Sequence, residues 1–395
     1  MRSRQKVPGR DSDAPGGHWP PGTATPACWG STPFTTLTSA NLNCFRQQIP
    51  PDALTKAFLD AIHIAQALGF AYLWIDSLCI IQDSPEDWDR ESALMEDVYG
   101  ASSLTIAATS AEDGSVGCFF DRTPNWRHQI LQRQSMVLWD VFTHRLTDPK
   151  LHPLSKRAWA LQERWLSRRT LHFTRHQVFW ECDGNPASET YPRGYPRSFI
   201  TAAVSKGFLL ERRPLPARHW SEIVKDYSSR LLTKMSDTLP AISGIAKMIQ
   251  EQTKGEYVAG MWREGLEDQL TWSIYGSSRV SSKYIAPSWS WVSVSGDLDC
   301  HDDVEYSSPA IFHVRVQAIS IQHLSANSFG EIAGATLRLG CEILWPEVVR
   351  DAIWREPSGS TYQATSFVFS DIKVYFCTGG RTWSVATPWT ISSRY

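Results

Sequence analysis

From Pro50 onward the chain takes on a helical rhythm. Leu54, Phe58, Ile62 and Ala65 recur at the spacing of one helix face, Asp52 stands where a cap belongs, and Gly69 follows Leu68 as a stop. Directly after it, "AYLWID" is a short and nearly continuous apolar run, which predicts a strand buried on both faces. "SLTIAAT", residues 103 to 109, predicts a neighbouring strand. A helix that leads into such a strand is the rhythm of a parallel α/β sheet. Between the two strands, Ser84, Pro85 and Asp87 fall into a capping arrangement that predicts one helix from Pro85 to Tyr99.

Farther along, "KRAWALQERWLSRRTLHFTRHQVFWEC" reads as a short amphipathic helix followed by two strands, "TLHFT" and "QVFWEC", in a hairpin. Helical periodicity returns at "HWSEIVKDYSSRLL" and "TLPAISGIAKMIQEQ". The last third holds the strand-like runs "SWSWVSV", "IFHVRVQAISI", "ATLRLGCEI" and "TSFVFSDIKVYF", broken by Gly, Ser and Asp, which predicts an antiparallel β-rich region. Residues 1–27 are rich in Pro, Gly and charge without periodicity and read as a disordered arm. No repeat of solenoid or propeller period is present. The pattern therefore divides the chain into an arm at 1–27, an α/β domain at 28–165, a hairpin plus helical region at 166–285 and a β-rich end at 286–395.

Composition narrows the function classes. At 395 residues and 42 % hydrophobic content the chain can bury a large core, and its 18 tryptophans are expected mostly inside it. A net charge of −2, from 39 basic and 41 acidic residues, gives no general attraction for nucleic acid or an anionic membrane. The eight cysteines show no CxxC pair and no histidine at ligand spacing, which argues against a zinc site and for a reducing, intracellular setting. The N-terminus has no apolar core of a secretory signal, and no run is long enough to span a bilayer. Phosphate loops, GxSxG, HExxH and calcium loops are absent. No metal or obligatory cofactor is expected.

Two acids are the main candidates for chemistry. Asp76 ends the predicted strand "AYLWID", at the edge of an open sheet where ligands bind, although ordinary turn chemistry explains an Asp there equally well. Glu91 falls beside Trp88, Met95 and Val98 on a helical wheel, on the face expected to be buried, and its i±4 neighbours Asp87 and Met95 supply no cation. A carboxylate among apolar groups finds a partner or takes a raised pKa, as a general acid or base does. Cys79, in the turn between them, has no base marked beside it and reads as structural. Gln162, Glu163 and Arg164, between Trp159 and Trp165, read either as a ligand anchor or as a strut tying helix to hairpin. The alternating "PSWSWVS", residues 287 to 293, reads as a strand whose tryptophans belong to the core.

Several separated stretches together resemble the fungal heterokaryon incompatibility (HET) domain family. They are "CWG" at 28–30, "AIHIAQALGFAYLWIDSLCIIQDSPEDWDRESALMEDVYGAS" from Ala61, "RAWALQERWLSRRTLHFT" from Arg157 and "VFWEC" at 178–182, in the family's order. The resemblance implies a cytoplasmic role in nonself recognition and programmed cell death, and a remote relation to the TIR module, a flavodoxin-like parallel-sheet fold. Some TIR domains cleave NAD with a helix glutamate that closely follows a Trp. "WDRE" at 88–91 is similar, with a spacing one residue shorter. By that analogy Glu91 is the catalytic acid that orients the nicotinamide ribose of a substrate NAD, and Asp76 and Trp88 line the same crevice. Where members carry a strand ending in a "LSYCWG"-like motif this chain has "TATPACWG", so the first strand is expected to be missing. Two alternatives accompany the enzyme: a non-enzymatic module acting through self-association or a protein partner, and an inactive truncated paralogue.

Overall fold

The computed structural model describes residues 22–25, 34–122, 152–182, 186–194, 217–300, 314–325 and 327–341, with four short strand segments beyond. Its central feature is a six-stranded sheet in the order β2-β1-β3-β4-β5-β6. Strands β1 (Thr23–Ala24), β2 (Leu73–Trp74), β3 (Leu104–Ala107) and β4 (Arg169–Phe173) run parallel, and β5 (Val178–Cys182) and β6 (Ala187–Ser188) return antiparallel. Strand β1 corrects the expectation of a missing first strand. Thr23–Ala24 lies inside the stretch assigned to the arm, yet it is the strand between β2 and β3. Thr23 N–H donates to Tyr72 O at 3.0 Å, Thr25 N–H to Trp74 O at 3.0 Å, and Ser103 N–H to Gly22 O at 2.9 Å. The "CWG" motif lies outside the described residues.

Helices cover both faces. On one side α2 (Lys56–Ala67) packs Ala61, Ile64 and Ala65 against Leu104 and Ile106. Its cap is Thr55, which accepts the Phe58 N–H at 3.3 Å, while Asp52 sits in the preceding 3-10 turn; Gly69, at φ +81°, ends it as expected. On the other side, Met95, Val98, Tyr99 and Leu166 pack against Ala24 and Trp74. These residues come from α5 (Met95–Ala101) and α6 (Ala158–Leu166). The alternation of the strands sorts the two faces: Ala24, Trp74 and Thr105 stand in one register row, and Leu104 and Ile106 point the other way.

The segment expected as one helix is two. After the short helix α3 (Asp76–Cys79), α4 (Pro85–Ala93) starts on Ser84, whose hydroxyl accepts the Asp87 N–H at 3.2 Å, as the capping pattern requires. It ends at Leu94, where φ is −94° and ψ is 0°, and α5 begins one residue later. That break removes the single wheel on which Glu91 shared a face with Met95 and Val98.

Chain contacts divide the protein into two compact units. The first takes in residues 1–215, 229–233 and 240–253, so that the helix Pro240–Thr253 groups with the sheet-bearing unit, where it meets α4, α5 and α6, rather than with its sequence neighbours. The second, 216–228, 234–239 and 254–395, is built from β hairpins and carries the helix Ala217–Ser228. Among these hairpins are Tyr257–Val258 with Met261–Trp262, Ser273–Val280 with Val294–Asp299, and Val314–His323 with Ile332–Cys341. "PSWSWVS" is not a strand: it is a turn and a 3-10 helix, Trp291–Ser293, and both tryptophans are buried. The carbonyl of Gly260 accepts the indole N–H of Trp220 at 3.0 Å and of Trp291 at 2.8 Å. Gly260 has φ +89°, and a Cβ there would stand 2.6 Å from Val292 Cγ2, so only glycine fits. Of "TSFVFSDIKVYF", only Tyr375 and Phe376 are among the described residues.

Candidate functional site

The carboxyl ends of the parallel strands and the two helices above them bring the sequence candidates together. Strand β2 stays extended through Ile75, which faces the α2 side, so Asp76 continues the Trp74 row toward α5 and α6. Asp76 opens α3, and its Oδ1 accepts the Ser77 N–H at 2.7 Å, the turn bond anticipated for it. Trp88 on α4 meets Trp159 on α6 edge to face, with ring centroids 6.2 Å apart. This contact joins the stretch 72–99 to "RAWALQE", two motifs far apart in the chain.

Glu91 is held differently from its expectation. Its Oε1 accepts the Arg90 Nε–H at 3.2 Å, and Arg90, more than half exposed, also pairs with Asp87. The cation comes from the adjacent residue, which an i±4 search passes over. Half-buried Cys79 lies between the acids, and its thiol is pushed up to about 12, first by burial and then by the charges of Asp76 and Glu91, against a lowering bond from Ile75. The thiolate is therefore not available as a nucleophile, and Asp76 and Glu91 act on one neighbourhood.

Glu163 is the residue that sequence reasoning treated as part of a strut. It is 1 % exposed, and burial pushes its carboxyl up to about 7, with Arg157 opposing and Asp76 adding to the rise. Its Oε2 has no hydrogen-bond partner among the described residues. Beside it, the Tyr99 phenol is wholly buried and raised well above its ordinary value, by burial first and then by Glu163 and Asp76; its hydroxyl is also unpartnered. The strut reading holds for the flanking residues only. Gln162 Oε1 accepts the Gly244 N–H at 2.6 Å, and Arg164 grips Glu181 on β5 with Nε at 2.8 Å and Nη2 at 2.8 Å. The signal for Glu163 in the sequence was an acid set among Trp159, Leu161 and Leu166 on a nine-residue helix.

Residues 27–163 match the family model described as Heterokaryon incompatibility protein (HET). This segment is a HET domain. Asp76, Trp88, Glu91, Tyr99 and Arg157 all lie within the HET domain, and its matched segment closes on Glu163. No curated protein and no solved structure gives a significant match. Among the described residues no cluster of His, Cys, Asp and Glu is placed to hold a metal ion, and no helix is long and apolar enough to cross a membrane.

Proposed function

We propose that the HET domain is an N-glycosidase of NAD, within a protein of fungal nonself recognition whose activity leads to cell death in the cytoplasm. The observation that carries this reading is Glu163: a fully buried carboxyl with one free oxygen, raised toward neutrality, on the helix above the carboxyl ends of the strands. The strand order β2-β1-β3-β4 supports a TIR-like, flavodoxin-like assignment, in which ligands sit at the point where the order reverses. Trp159 precedes Glu163 by one residue more than Trp88 precedes Glu91, which makes up the shortfall of "WDRE". The analogy is one of fold and motif, and the catalytic role accordingly moves from Glu91 to Glu163. Asp76, Trp88 and Glu91 then form the surroundings.

In this reading the ionised Glu163 accepts a hydrogen bond from a ribose hydroxyl, and its charge stabilises the oxocarbenium ion as the bond to nicotinamide breaks. Nicotinamide leaves with the bonding pair, and water adds to the ribosyl carbon and gives up a proton. The products are nicotinamide, ADP-ribose and one proton. If the carboxylate is the active form, activity rises with pH through about 7 and then levels. The test is nicotinamide release from NAD by the purified full chain. Glu163→Gln should lower it by roughly 100-fold or more, and Glu91→Gln by less. Equal release from Glu163→Gln, or none from folded wild type, overturns the reading.

A second reading, assembly through protein contacts, rests on the strand Ser273–Val280, where Tyr275 is 71 % and Val280 is 73 % exposed. It expects Glu163→Gln to remain toxic in a fungal host and the chain to associate in solution. A monomer at every concentration, without toxicity, removes it.

A further inference from the structure

The helix that bears Glu163 is held in place by chain from beyond the matched segment 27–163. The first N–H groups of a helix have no partner within it, and the first of α6 is met from far along the sequence. Ala158 N–H donates to Leu231 O at 3.0 Å, and Leu231 N–H donates back to Lys156 O, a parallel bridge at Arg157. The neighbouring Arg230 is buried and donates from Nη1 to Ser155 O at 2.9 Å.

The side of α6 is held by the helix Pro240–Thr253. Gln162, 0 % exposed, accepts the Gly244 N–H at 2.6 Å. A Cβ at Gly244 would stand 2.8 Å from Leu166 Cδ1 and 3.1 Å from Gln162 Oε1, so the two helices approach this closely only at a glycine. Three residues on, and so on the same side of its helix, Lys247 donates from Nζ to Ala93 O at 3.2 Å, at the last residue of α4. One helix face thus grips both α4, which carries Trp88, and α6, which carries Trp159 and Glu163. A helix passes a displacement along its length, and a shift at Ala158 or Gln162 moves Glu163 with it.

We propose that Gly244 and Gln162, with the backbone of Leu231, are positioning residues of the HET site, and that the stretch 229–253 sets where Glu163 stands. The inference rests on the preceding reading for the role of Glu163. Residues 216–228, 234–239 and 254 onward belong to the second unit, so the chain reaches both holds only by way of that unit. The stretch 229–253 is then the covalent route by which the second unit bears on the carboxyl.

The experiment uses the purified full chain with Gly244→Ala, alone and together with Leu166→Val. The second change removes the atom that the new methyl strikes and nearly restores the total volume. Gly244→Ala should lower kcat for nicotinamide release roughly tenfold or more with KM within about twofold, and the double variant should return to within about threefold of wild type. A second readout needs no cleavage. It is the pH at which Glu163 titrates, taken from urea midpoints with and without Glu163→Gln in each background, so that Glu96 cancels. In Gly244→Ala it should fall from about 7 toward the ordinary carboxylate range by about half a pH unit or more, and it should return in the double variant. A merely structural glycine would lower every urea midpoint and leave both readouts in place. Wild-type kcat and titration in folded Gly244→Ala, or a double variant that recovers neither, overturns the proposal. If Gly244→Ala does not fold, Gln162→Met, which deletes the acceptor without adding bulk, should move both readouts in the same directions, and unchanged values overturn the proposal. No release from wild type with a shifted titration removes the cleavage reading and keeps this one, and release with neither readout moved does the reverse.

Discussion

Glu163 and Glu181 are both buried glutamates of the first compact unit, but their surroundings differ in kind. Glu181 has both oxygens engaged: Arg164 forks onto it, and His172 Nε2 meets Oε2 at 2.9 Å. With a carboxylate accepting there, His172 Nε2 carries a proton, and Nδ1 meets the Thr109 hydroxyl at 3.1 Å. The chain Thr109–His172–Glu181–Arg164 has the groups of a catalytic triad, but every member serves to tie β3, the hairpin and α6 together. Glu163, one residue from Arg164, has an oxygen with no protein partner among the described residues. The bonds of Glu181 build structure, whereas the second oxygen of Glu163 keeps an accepting position that no described residue fills.

The largest expected effect tests the satisfied side. Arg164→Met leaves Glu181 buried without its cation and should cost on the order of 3 to 5 kcal/mol in chemical denaturation. Glu163→Gln, changed at the neighbouring position, should cost nothing at pH 8. A similar loss for both would erase the distinction between the two glutamates.

The pH dependence of stability comes next. Glu163 in the folded chain titrates near 7, above the 4.5 of an ordinary Glu, so the folded state holds its proton more tightly than the unfolded one. The stabilising contribution is therefore full below about 4.5 and is lost as pH rises through about 7, a change on the order of 3 kcal/mol. Partly buried Glu96, raised to about 7 mainly by burial, pulls in the same direction, so the wild-type curve alone is not diagnostic. The difference between wild type and Glu163→Gln isolates the one carboxyl. Urea midpoints from pH 4 to 8 should show wild type losing ground to the variant, and a difference independent of pH would mean that Glu163 titrates as an exposed acid.

How much of this was legible in the chain depends on whether the cause was local. Ser84 caps its helix and Arg169–Phe173 pairs with Val178–Cys182 because neighbouring residues suffice to specify a cap or a hairpin. Strand β1 was not legible, because two residues become a strand only through bonds to Tyr72, Trp74 and Ser103. The isolation of Glu163 was not legible either. The helix Pro240–Thr253 closes over this region through Gly244, whose N–H binds Gln162 and whose absent side chain admits Leu166, with a Cβ there falling 2.8 Å from Leu166 Cδ1. No periodicity within "RAWALQERWL" encodes a helix that arrives about eighty residues later. Asp76 drew attention as the end of a strand, Trp88 through the resemblance carried by "WDRE", and Glu91 through a helix that in fact breaks at Leu94.

The smallest effect offers the finest comparison, because it uses one substitution at two hydroxyls of equal burial. Thr109 is 2 % exposed and bonded to His172, whereas Thr170, on β4 and 1 % exposed, has no partner for its Oγ1 among the described residues. Valine replaces either side chain with little change of shape, so the two variants differ in hydrogen bonding alone. Thr109→Val strands His172 Nδ1 and should cost about 1 to 3 kcal/mol. Thr170→Val deletes a hydroxyl that bonds nothing and should be neutral or slightly stabilising, by up to about 1 kcal/mol. Equal losses in denaturant midpoint would mean that the Thr170 hydroxyl is satisfied in solution, and the same doubt would then extend to Tyr99 and Glu163. Opposite signs would show that the Thr170 hydroxyl is truly unpaired, and would support the same reading of Tyr99 and Glu163 in the same compact unit.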